Sequence, residues 1–526
     1  MEQVVAQEKV IEKKGFKPWL VYVICFAISL VFMFFFAINS PIHTFNGHSD
    51  FNWYVTMGRG FVAGKVPYRD LFDHKGPITY FVFAFATLFP SYQIAVWCLE
   101  VICISLYLYF CYRIARKFLS PWLSLAVVPL MMMILSTNFY RGLNGACVEE
   151  FCLPIFAYGL LCFLDFIMDK RPATWQRSLA LGICLGILFW VKFSMWEFFL
   201  FPMLIWLIMN LVRRDWKTVL RSGLIMLGGL LIVTLPIIIY FGAVGALGDL
   251  WQGYFVINLG SYTGDIDGGN AQEKFIRGWK NSLSPILMSP YFILFFVFGI
   301  VCFAVQYWRQ KSGWLLLIAI IPTYFLIGFI CGYYYYYLPL QAYAVLGLIY
   351  LVKFITNVID ITIKKQWVNE LILTILTVIS FCLALPFASN MVEINQPRES
   401  YAPLVVADII AEYNQTAETP ATLFCYYMGD GGFYNAAGIV PNVRYYSQHC
   451  FTPQEFPELF ASYDVTIREQ KCDFVICYVD EFKKNEEFLL TYYQFYFGSL
   501  EKSTLPFRFF DAAFYGENEI VILFRR

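Results

Sequence analysis

The segment from His48 to Pro77 concentrates side chains that could carry out chemistry. It follows one apolar run and precedes another, yet it is rich in charge. A charge placed near hydrocarbon pays a desolvation penalty, so a cluster of this kind indicates a site that handles a charged ligand. The candidate ligand-binding and catalytic side chains within it are Asp50, Tyr54, Arg59, Lys65, Tyr68, Arg69, Asp70, Asp73, His74 and Lys75.

Asp50 is the candidate general base of this segment. It lies about ten residues beyond the first apolar run, where a carboxylate is partly shielded from water but can still reach it. Nearby cations favour the ionised form of a carboxyl group, so Asp50 is expected to be an anion that can accept a proton from a hydroxyl. The alternative role is structural, because Asp also caps helices well and a helix is predicted to begin near Asn52.

The cations of the segment are candidate anion-binding groups. Arg can grip a phosphate with two parallel hydrogen bonds, whereas Lys acts as a point charge. Arg59, Arg69 and Lys75 could therefore hold a phosphate, with Asp70 and Asp73 orienting them. Arg59 could equally bind lipid headgroups, as could Lys65. This alternative is weaker for the lysine of the HKGP sequence, which directly precedes an apolar run.

Three further candidate features lie outside this segment: an acidic pair, a single lysine and a run of tyrosines. Glu149 and Glu150 open a predicted helix, where carboxylates either serve a site or interact with the helix dipole, worth about 0.3–1 kcal/mol. Lys192 interrupts an apolar stretch, so it either contacts a phosphate or extends its ammonium to the membrane surface. The tyrosine run 333–337 is typical of an interfacial aromatic belt, although Tyr337 could touch a ligand.

Composition predicts that a polytopic membrane protein positions these residues. Hydrophobic residues make up 59% of the 526 residues and charged residues only 14%, against roughly 25% charge in soluble domains. The net charge of zero gives no indication of a nucleic-acid partner. Apolar runs long enough for ~30 Å of hydrocarbon predict about 11 transmembrane helices, at 19–39, 93–112, 121–138, 150–168, 178–194, 198–212, 218–241, 285–307, 313–331, 335–352 and 368–388.

The distribution of positive charge predicts the orientation. Nineteen Lys and Arg residues fall in one set of segments, whereas the short loops of the other set contain Arg141 alone. Because cytoplasmic loops are enriched in Lys and Arg, the segment 1–18 is predicted to be cytoplasmic. The loops 40–92 and 242–284 would then face outward. Residues 78–89 are too short for a span, and we expect them to lie as a helix in the outer interface.

Residues 389–526 are predicted to form a small extracytoplasmic α/β domain. The pattern indicates strands at 421–427, 474–478 and 519–524 and helices at 455–469 and 481–497. The GDGG sequence at 429–432 is a turn signal that lacks the spacing of a phosphate-binding loop. The four cysteines of this region leave one disulfide open as a possibility. With only four histidines in the chain, no metal site is expected.

Taken together, these sequences resemble the GT-C class of integral-membrane glycosyltransferases. The similarity covers roughly residues 20–350 and rests on Asp50 beyond the first helix, VPYRDLFDHKGP at 66–77 and GACVEEFCLP at 145–154. The nearest groups are the bacterial relatives of protein O-mannosyltransferases and the aminoarabinose transferases, of the glycosyltransferase family 39 type.

The resemblance implies roles for individual residues. It makes Asp50 the general base, with Tyr54 four residues later as a further family feature. It makes Lys75 a contact for the phosphate of a lipid donor and gives Lys192 a related role. Phe51 stands where many relatives carry a second acid, so no cofactor is expected to be required and a divalent cation is only weakly indicated.

The sequence thus predicts an inverting glycosyltransferase with a polyprenyl-phosphate sugar donor. The acceptor would be a hydroxyl of an extracytoplasmic glycan, lipid or protein. Two other classes remain open: a transporter or flippase of lipid-linked saccharides, and a non-catalytic cell-envelope assembly protein. A transporter would favour charges near the bilayer midplane and repeated halves, whereas the charges here concentrate at the outer surface.

Overall fold

The computed structural model describes most of the chain. Residues 1–14 of the predicted cytoplasmic segment and Arg141 lie outside the described residues, which are 15–138, 146–169, 174–260, 271–288, 290–330, 334–359, 366–387, 394, 396–449, 451–496, 504–508 and 517–526.

Long apolar helices make up most of the structure, and each predicted span overlaps one of them. Most of them are about as long as a bilayer crossing requires at 1.5 Å per residue. They are α1 Pro18–Phe36, α4 Tyr92–Ala115, α5 Pro121–Asn138, α6 Val148–Asp169, α7 Trp175–Lys192, α8 Glu197–Val212, α9 Trp216–Ala243, α11 Pro290–Tyr307, α12 Ser312–Ile330, α13 Gln341–Ile359 and α14 Gln366–Ala384.

Length and composition give nine candidate membrane spans among the described residues. Trp175–Val212, which includes α7 and α8, counts as one of them, and Pro121–Thr137 falls below the length required. The predicted span 285–307 began too early, because residues up to Met288 belong to a preceding amphipathic helix and the apolar helix begins at Pro290. The chain is a polytopic α-helical membrane protein, as its composition predicted.

The predicted outer loop 40–92 contains two short helices, α2 at Ser49–Val62 and α3 at Pro77–Thr87. Helix α3 has eleven residues, too few for a single crossing, as expected for the run 78–89. Proline at its first position matches a helix start, since proline lacks the N–H that would be unpaired there. The two helices pack closely, because Gly58 brings α2 against the backbone at Phe83 and Ala84.

The predicted loop 242–284 is also largely helical where it is described. Leu247–Leu250, a π-helical turn at Trp251–Val256 and Ile257–Leu259 form one short helical stretch. Helix α10, Ala271–Met288, then packs along the C-terminal half of α12.

The C-terminal region predicted at residues 389–526, the tail, folds around a small mixed sheet. Its strands are β1 Leu423–Cys425, β2 Phe474–Tyr478, β3 Tyr493–Phe495, β4 Thr504–Arg508 and β5 Glu517–Arg525. Strand β1 pairs parallel with β2, and β5 pairs antiparallel with β2, β3 and β4. The helices are α15 Ala402–Asn414, α16 Phe433–Ala437, α17 Pro457–Arg468, α18 Val479–Lys484 and α19 Glu486–Tyr492.

The sequence prediction for the tail was partly wrong. The predicted helix 481–497 breaks at Asn485 and gives way to strand β3, because Tyr493 and Phe495 pair with the apolar strand β5. Helix α15 and strand β4 were not predicted. Cys425, Cys472 and Cys477 are free thiols, and Cys450 lies outside the described residues.

Candidate active site

Helix α2 carries Asp50 and Tyr54 on one face, one turn apart. The residue that caps the helix is His48, and Asp50 lies within the first turn, so the alternative role of Asp50 as N-cap does not apply. Its side chain is half-buried, and a carboxylate in this position gains from the helix dipole. Tyr54 is fully buried with no hydrogen-bond partner for its hydroxyl among the described residues.

The electrostatic surroundings of Tyr54 show how the site is assembled. Burial raises the pKa of Tyr54 well above its usual value, and the negative charges of Asp50, Asp73 and Glu149 raise it further. These three carboxylates come from α2, from the loop before α3 and from the first turn of α6. The structure therefore brings together acids that are up to about a hundred residues apart in sequence.

The loop before α3 lies against the C-terminal end of α7. The Gly76 amide donates a hydrogen bond to the carbonyl of Val191, at 3.0 Å. A Cβ atom at Gly76 would collide with the carbonyls of Trp190 and Val191, so only glycine permits this approach. Lys75 and Lys192 are the residues next to this contact. Their backbones are therefore held close together.

Lys192 forms a buried ion pair with Glu149. Its Nζ atom lies 2.5 Å from Oε1 of Glu149 and 3.4 Å from the centre of the Tyr336 ring. The ring of Tyr335 is 5.2 Å away. An aromatic face attracts a cation most strongly where water is excluded. Lys192 is thus enclosed, rather than extended to the membrane surface as its structural alternative required.

Lys75 is buried as well, with 6% of its surface exposed. Its Nζ atom lies 3.0 Å from Nε2 of His74, whose Nδ1 atom lies 3.3 Å from Oδ1 of Asp73. Burial would raise the pKa of Asp73, but the hydrogen bond from His74 and the surrounding positive groups hold it well below its usual range. Burial and the charge of Lys75 lower the pKa of His74, so its ring is neutral at neutral pH.

The predicted arginines and Tyr68 lie outside this cluster. Arg69 is exposed, pairs with Asp70 at 3.0 Å and donates to the carbonyl of Val244. Arg59 donates to the carbonyl of Asn435 at 3.1 Å, and burial lowers its pKa. The Tyr68 hydroxyl donates to the Lys75 carbonyl at 2.6 Å, so it supports the loop.

Glu150 and Tyr337 have partners other than Lys192. The Glu150 carboxylate accepts a hydrogen bond from the Ala146 amide at 2.9 Å and lies beside Glu100 of α4. The Tyr337 ring packs 5.0 Å from that of Tyr324. Within the tyrosine run, Tyr336 contacts the candidate site in place of Tyr337.

The tail supplies residues that the sequence did not identify. Thr56 of α2 donates to Asp430 at 2.9 Å, and Asn435 donates to the Asn52 carbonyl at 3.0 Å. Burial raises the pKa of Asp430 to about 6, partly offset by its hydrogen bonds with the Gly432 amide and Thr56. These contacts use the face of α2 opposite Asp50. The available signal was the GDGG sequence, whose Gly432 adopts a φ of +103° at the turn into α16.

His449 is the second contribution of the tail that the sequence missed. Its Nδ1 atom lies 3.7 Å from Oδ1 of Asp73, and its ring lies 4.8 Å from that of Trp53. Burial lowers the pKa of His449 to about 4. No group of three His, Cys, Asp or Glu side chains suited to a metal ion occurs within the described parts of the chain.

Comparisons with known proteins reveal similarity in sequence and in fold. The sequence profile of the family described as Dolichyl-phosphate-mannose-protein mannosyltransferase matches residues 74–240, about a third of the chain, and this segment begins at His74 and includes Lys75, Glu149 and Lys192. No curated protein sequence matches the chain significantly.

Solved structures share the fold over nearly the whole length. ArnT from Cupriavidus metallidurans in the apo state aligns with a TM-score of 0.61 at 13% identity, covering 96% of this chain and 97% of that one. ArnT from the same organism bound to undecaprenyl phosphate aligns with a TM-score of 0.56 at 13% identity, covering 96% and 98%. The chain has the GT-C fold, and the family match and these structures together support the GT-C class of membrane glycosyltransferases.

Proposed function

We propose that this protein is a membrane glycosyltransferase that moves a sugar from a polyprenyl-phosphate donor to a hydroxyl of an extracytoplasmic acceptor. The observation that carries the proposal is the buried cluster in which Tyr54 meets the charges of Asp50, Asp73 and Glu149, with Lys75 held by His74 and Lys192 held by Glu149. The match to a family described by a dolichyl-phosphate-linked sugar supports it, as does the shared fold of an ArnT structure bound to undecaprenyl phosphate.

In this proposal Asp50 removes the proton from the acceptor hydroxyl. The oxygen attacks the anomeric carbon of the donor, and the bond from that carbon to the phosphate oxygen breaks in the same inverting step. The electron pair leaves with the lipid phosphate, and Asp50 holds the proton. Because a phosphate is stable as an anion, the leaving group needs cations rather than a general acid.

Lys75 and Lys192 supply that positive charge. A buried ammonium acts in a low effective dielectric, where it stabilises charge developing on the phosphate more than it would in water. Glu149 holds Lys192 at 2.5 Å, and the buried Tyr54 hydroxyl, which has no hydrogen-bond partner among the described residues, contacts the sugar or the acceptor in this mechanism. The mechanism requires no cofactor.

The proposed orientation has the N-terminus in the cytoplasm and the tail outside. The one-sided distribution of Lys and Arg supports it. Helix α2, the loop before α3 and the tail then face the extracytoplasmic side, and the donor reaches the two lysines from the outer leaflet. The acceptor would be a glycan, lipid or protein approaching along the tail.

The direct test is purified protein in nanodiscs supplied with labelled polyprenyl-phosphate sugars and extracytoplasmic glycan, lipid and protein fractions. The expected result is release of free polyprenyl phosphate together with label in one acceptor fraction. The same protein is also reconstituted in vesicles, where translocation of labelled lipid without release would identify a flippase. If the folded protein gives no release and no translocation, a non-catalytic assembly protein is favoured.

A further inference from the structure

The tail places His449 against the group that holds Lys75. We propose that His449 and Asp73 are positioning residues that act through His74 to fix the Lys75 ammonium for the donor phosphate. This inference rests on the proposed function, and it gives the tail a part in donor binding as well as any contact with the acceptor.

The hydrogen-bonding pattern sets the tautomer of His74. Oδ1 of Asp73 accepts a hydrogen bond from the His74 backbone amide at 2.7 Å and lies 3.3 Å from Nδ1 of the same residue. An anionic Asp73 keeps the proton on Nδ1, which leaves the lone pair of Nε2 free to accept from Lys75 at 3.0 Å. The order of charges is therefore an anion, a neutral ring and a cation.

This arrangement limits the freedom of a flexible side chain. An unrestrained lysine side chain has many rotamers and loses entropy when it is fixed. The Lys75 ammonium is held by His74, while its own carbonyl accepts hydrogen bonds from Tyr68 at 2.6 Å and Tyr80 at 3.0 Å. The ammonium is thus ordered before a donor arrives, which reduces the entropic cost of binding.

His449 lies near the same carboxylate oxygen of Asp73 as His74 does. Its Nδ1 atom is 3.7 Å from Oδ1 of Asp73, too far for a hydrogen bond, so it acts on the carboxylate by its dipole and by packing. The backbone of His449 has a φ of +52°, in the left-handed region that few side chains adopt without support. Trp53, Phe72 and Tyr446 enclose the ring, at centroid distances of 4.8, 5.7 and 5.6 Å.

The stretch of tail around His449 contacts both α2 and the HKGP loop. Trp53, which packs on His449, also donates from its indole to Ser447 of the tail at 3.0 Å. The Phe72 amide, next to Asp73, donates to the carbonyl of Arg444 at 2.9 Å. Both α2 and the HKGP loop are therefore held by the same short stretch of tail, residues 444–449.

The experiment measures how strongly each variant prefers a lipid that carries a phosphate over the same lipid without it. Wild type, His449→Phe, His449→Asn and Asp73→Asn are compared by kcat and KM for a labelled polyprenyl-phosphate sugar. Inhibition by undecaprenyl phosphate is compared with inhibition by undecaprenol, which lacks the phosphate. His43→Phe is the matched control, because His43 is also buried, with both ring nitrogens unpartnered within the described structure.

The proposal expects a loss specific to the phosphate. Asp73→Asn should lower kcat/KM by about 10–100-fold, the usual effect of removing a residue that orients a ligating group. His449→Phe should lower it about 3–10-fold, and His449→Asn should recover part of that loss. Undecaprenyl phosphate should inhibit the weakened variants less than wild type, with undecaprenol inhibition unchanged and His43→Phe like wild type in both.

Two results would overturn the inference while leaving the proposed function intact. One is wild-type kinetics and inhibition in both His449→Phe and Asp73→Asn. The other is an equal loss of inhibition by both lipids, which would show a general structural effect. A wild-type protein that consumes no donor would instead contradict the proposed function itself.

Discussion

Two pairs of cations are candidate phosphate-binding groups in the sequence, but their surroundings in the structure are very different. Lys75 and Lys192 are enclosed, one by His74 and the other by Glu149 and Tyr336. Arg59 and Arg69 bind backbone carbonyls at the outside of the same segment. The density of charge in the sequence indicates where a site lies. Burial and bonding partners in the structure then distinguish the cations that can bind a phosphate from those that stabilise the fold.

The largest expected effect comes from removing the enclosed charge of Lys75. Lys75→Ala should lower kcat/KM by about 100-fold or more, because a preorganised cation stabilises the developing phosphate charge by about 3–4 kcal/mol. Arg69→Ala, the exposed counterpart, should change it less than about threefold, since exposed ion pairs contribute little. Turnover of labelled donor measures both. Equal losses in the two variants would erase the distinction between the pairs.

The second comparison separates the charge of Lys192 from its contribution to stability. Lys192→Met leaves Glu149 buried and unpaired, so it should destabilise the protein by about 3 kcal/mol or more and reduce activity about 10–100-fold. Adding Glu149→Gln should restore much of the thermal stability but not the turnover. Unfolding in detergent and donor turnover are measured together. Recovery of activity in the double variant would mean that Lys192 only neutralises Glu149.

The close approach of Gly76 to α7 sharpens the comparison further. Gly76→Ala should push the HKGP loop away from the Trp190 carbonyl and lower kcat/KM about tenfold, since small displacements of a binding group are costly. Gly248→Ala is the matched control, because a Cβ there meets nothing within 4 Å. Wild-type activity of Gly76→Ala would show that the two lysines need not be held together.

The smallest effect tests the attachment of the tail to α2. The pKa of Asp430 is raised from 3.8 to about 6 in the folded protein, so the folded state binds the proton more tightly than the unfolded one. Stability from this group should increase as the pH falls from about 7 towards 4, by at most ~1.4 kcal/mol per pH unit.

Comparison with a carboxylate shifted the other way isolates this effect. Asp430→Asn should flatten the gain of stability at lower pH. Asp408→Asn should remove the opposite trend, because the hydrogen bond from Arg398 lowers the pKa of the exposed Asp408. Thermal unfolding from about pH 3 to 7 measures the slopes, because the Asp430 effect lies above about pH 4 and the Asp408 effect lies near and below it. If stability depends on pH in the same way in wild type and in Asp430→Asn, the pKa of Asp430 is not raised in the folded protein.

The sequence predicted the framework because its signals are strong and local. Long apolar runs predicted the spanning helices, and strand β2 was predicted with the bounds it has, Phe474–Tyr478. Charges that are costly near a membrane identified Asp50, Lys75, Glu149 and Lys192. Of these, Asp50 and Glu149 act electrostatically on one buried tyrosine, Tyr54, and Lys192 pairs with Glu149.

The contacts made by the tail could not be predicted in this way. Asn435, Ser447 and His449 are residue types common in any loop, and their partners on α2 and beside Asp73 are nearly four hundred residues away in sequence. The break at Asn485 and strand β3 likewise depend on pairing with β5, a tertiary contact that overrides the local helical pattern.

The central claim is that Asp50 acts as a base beside a preassembled phosphate site. The most direct measurement is the single-turnover rate of sugar transfer by Asp50→Asn, together with its affinity for undecaprenyl phosphate and with Asp70→Asn as control. The account predicts a transfer rate about 10²–10⁴-fold below wild type, unchanged lipid affinity and a control like wild type. Full transfer activity in Asp50→Asn would contradict it.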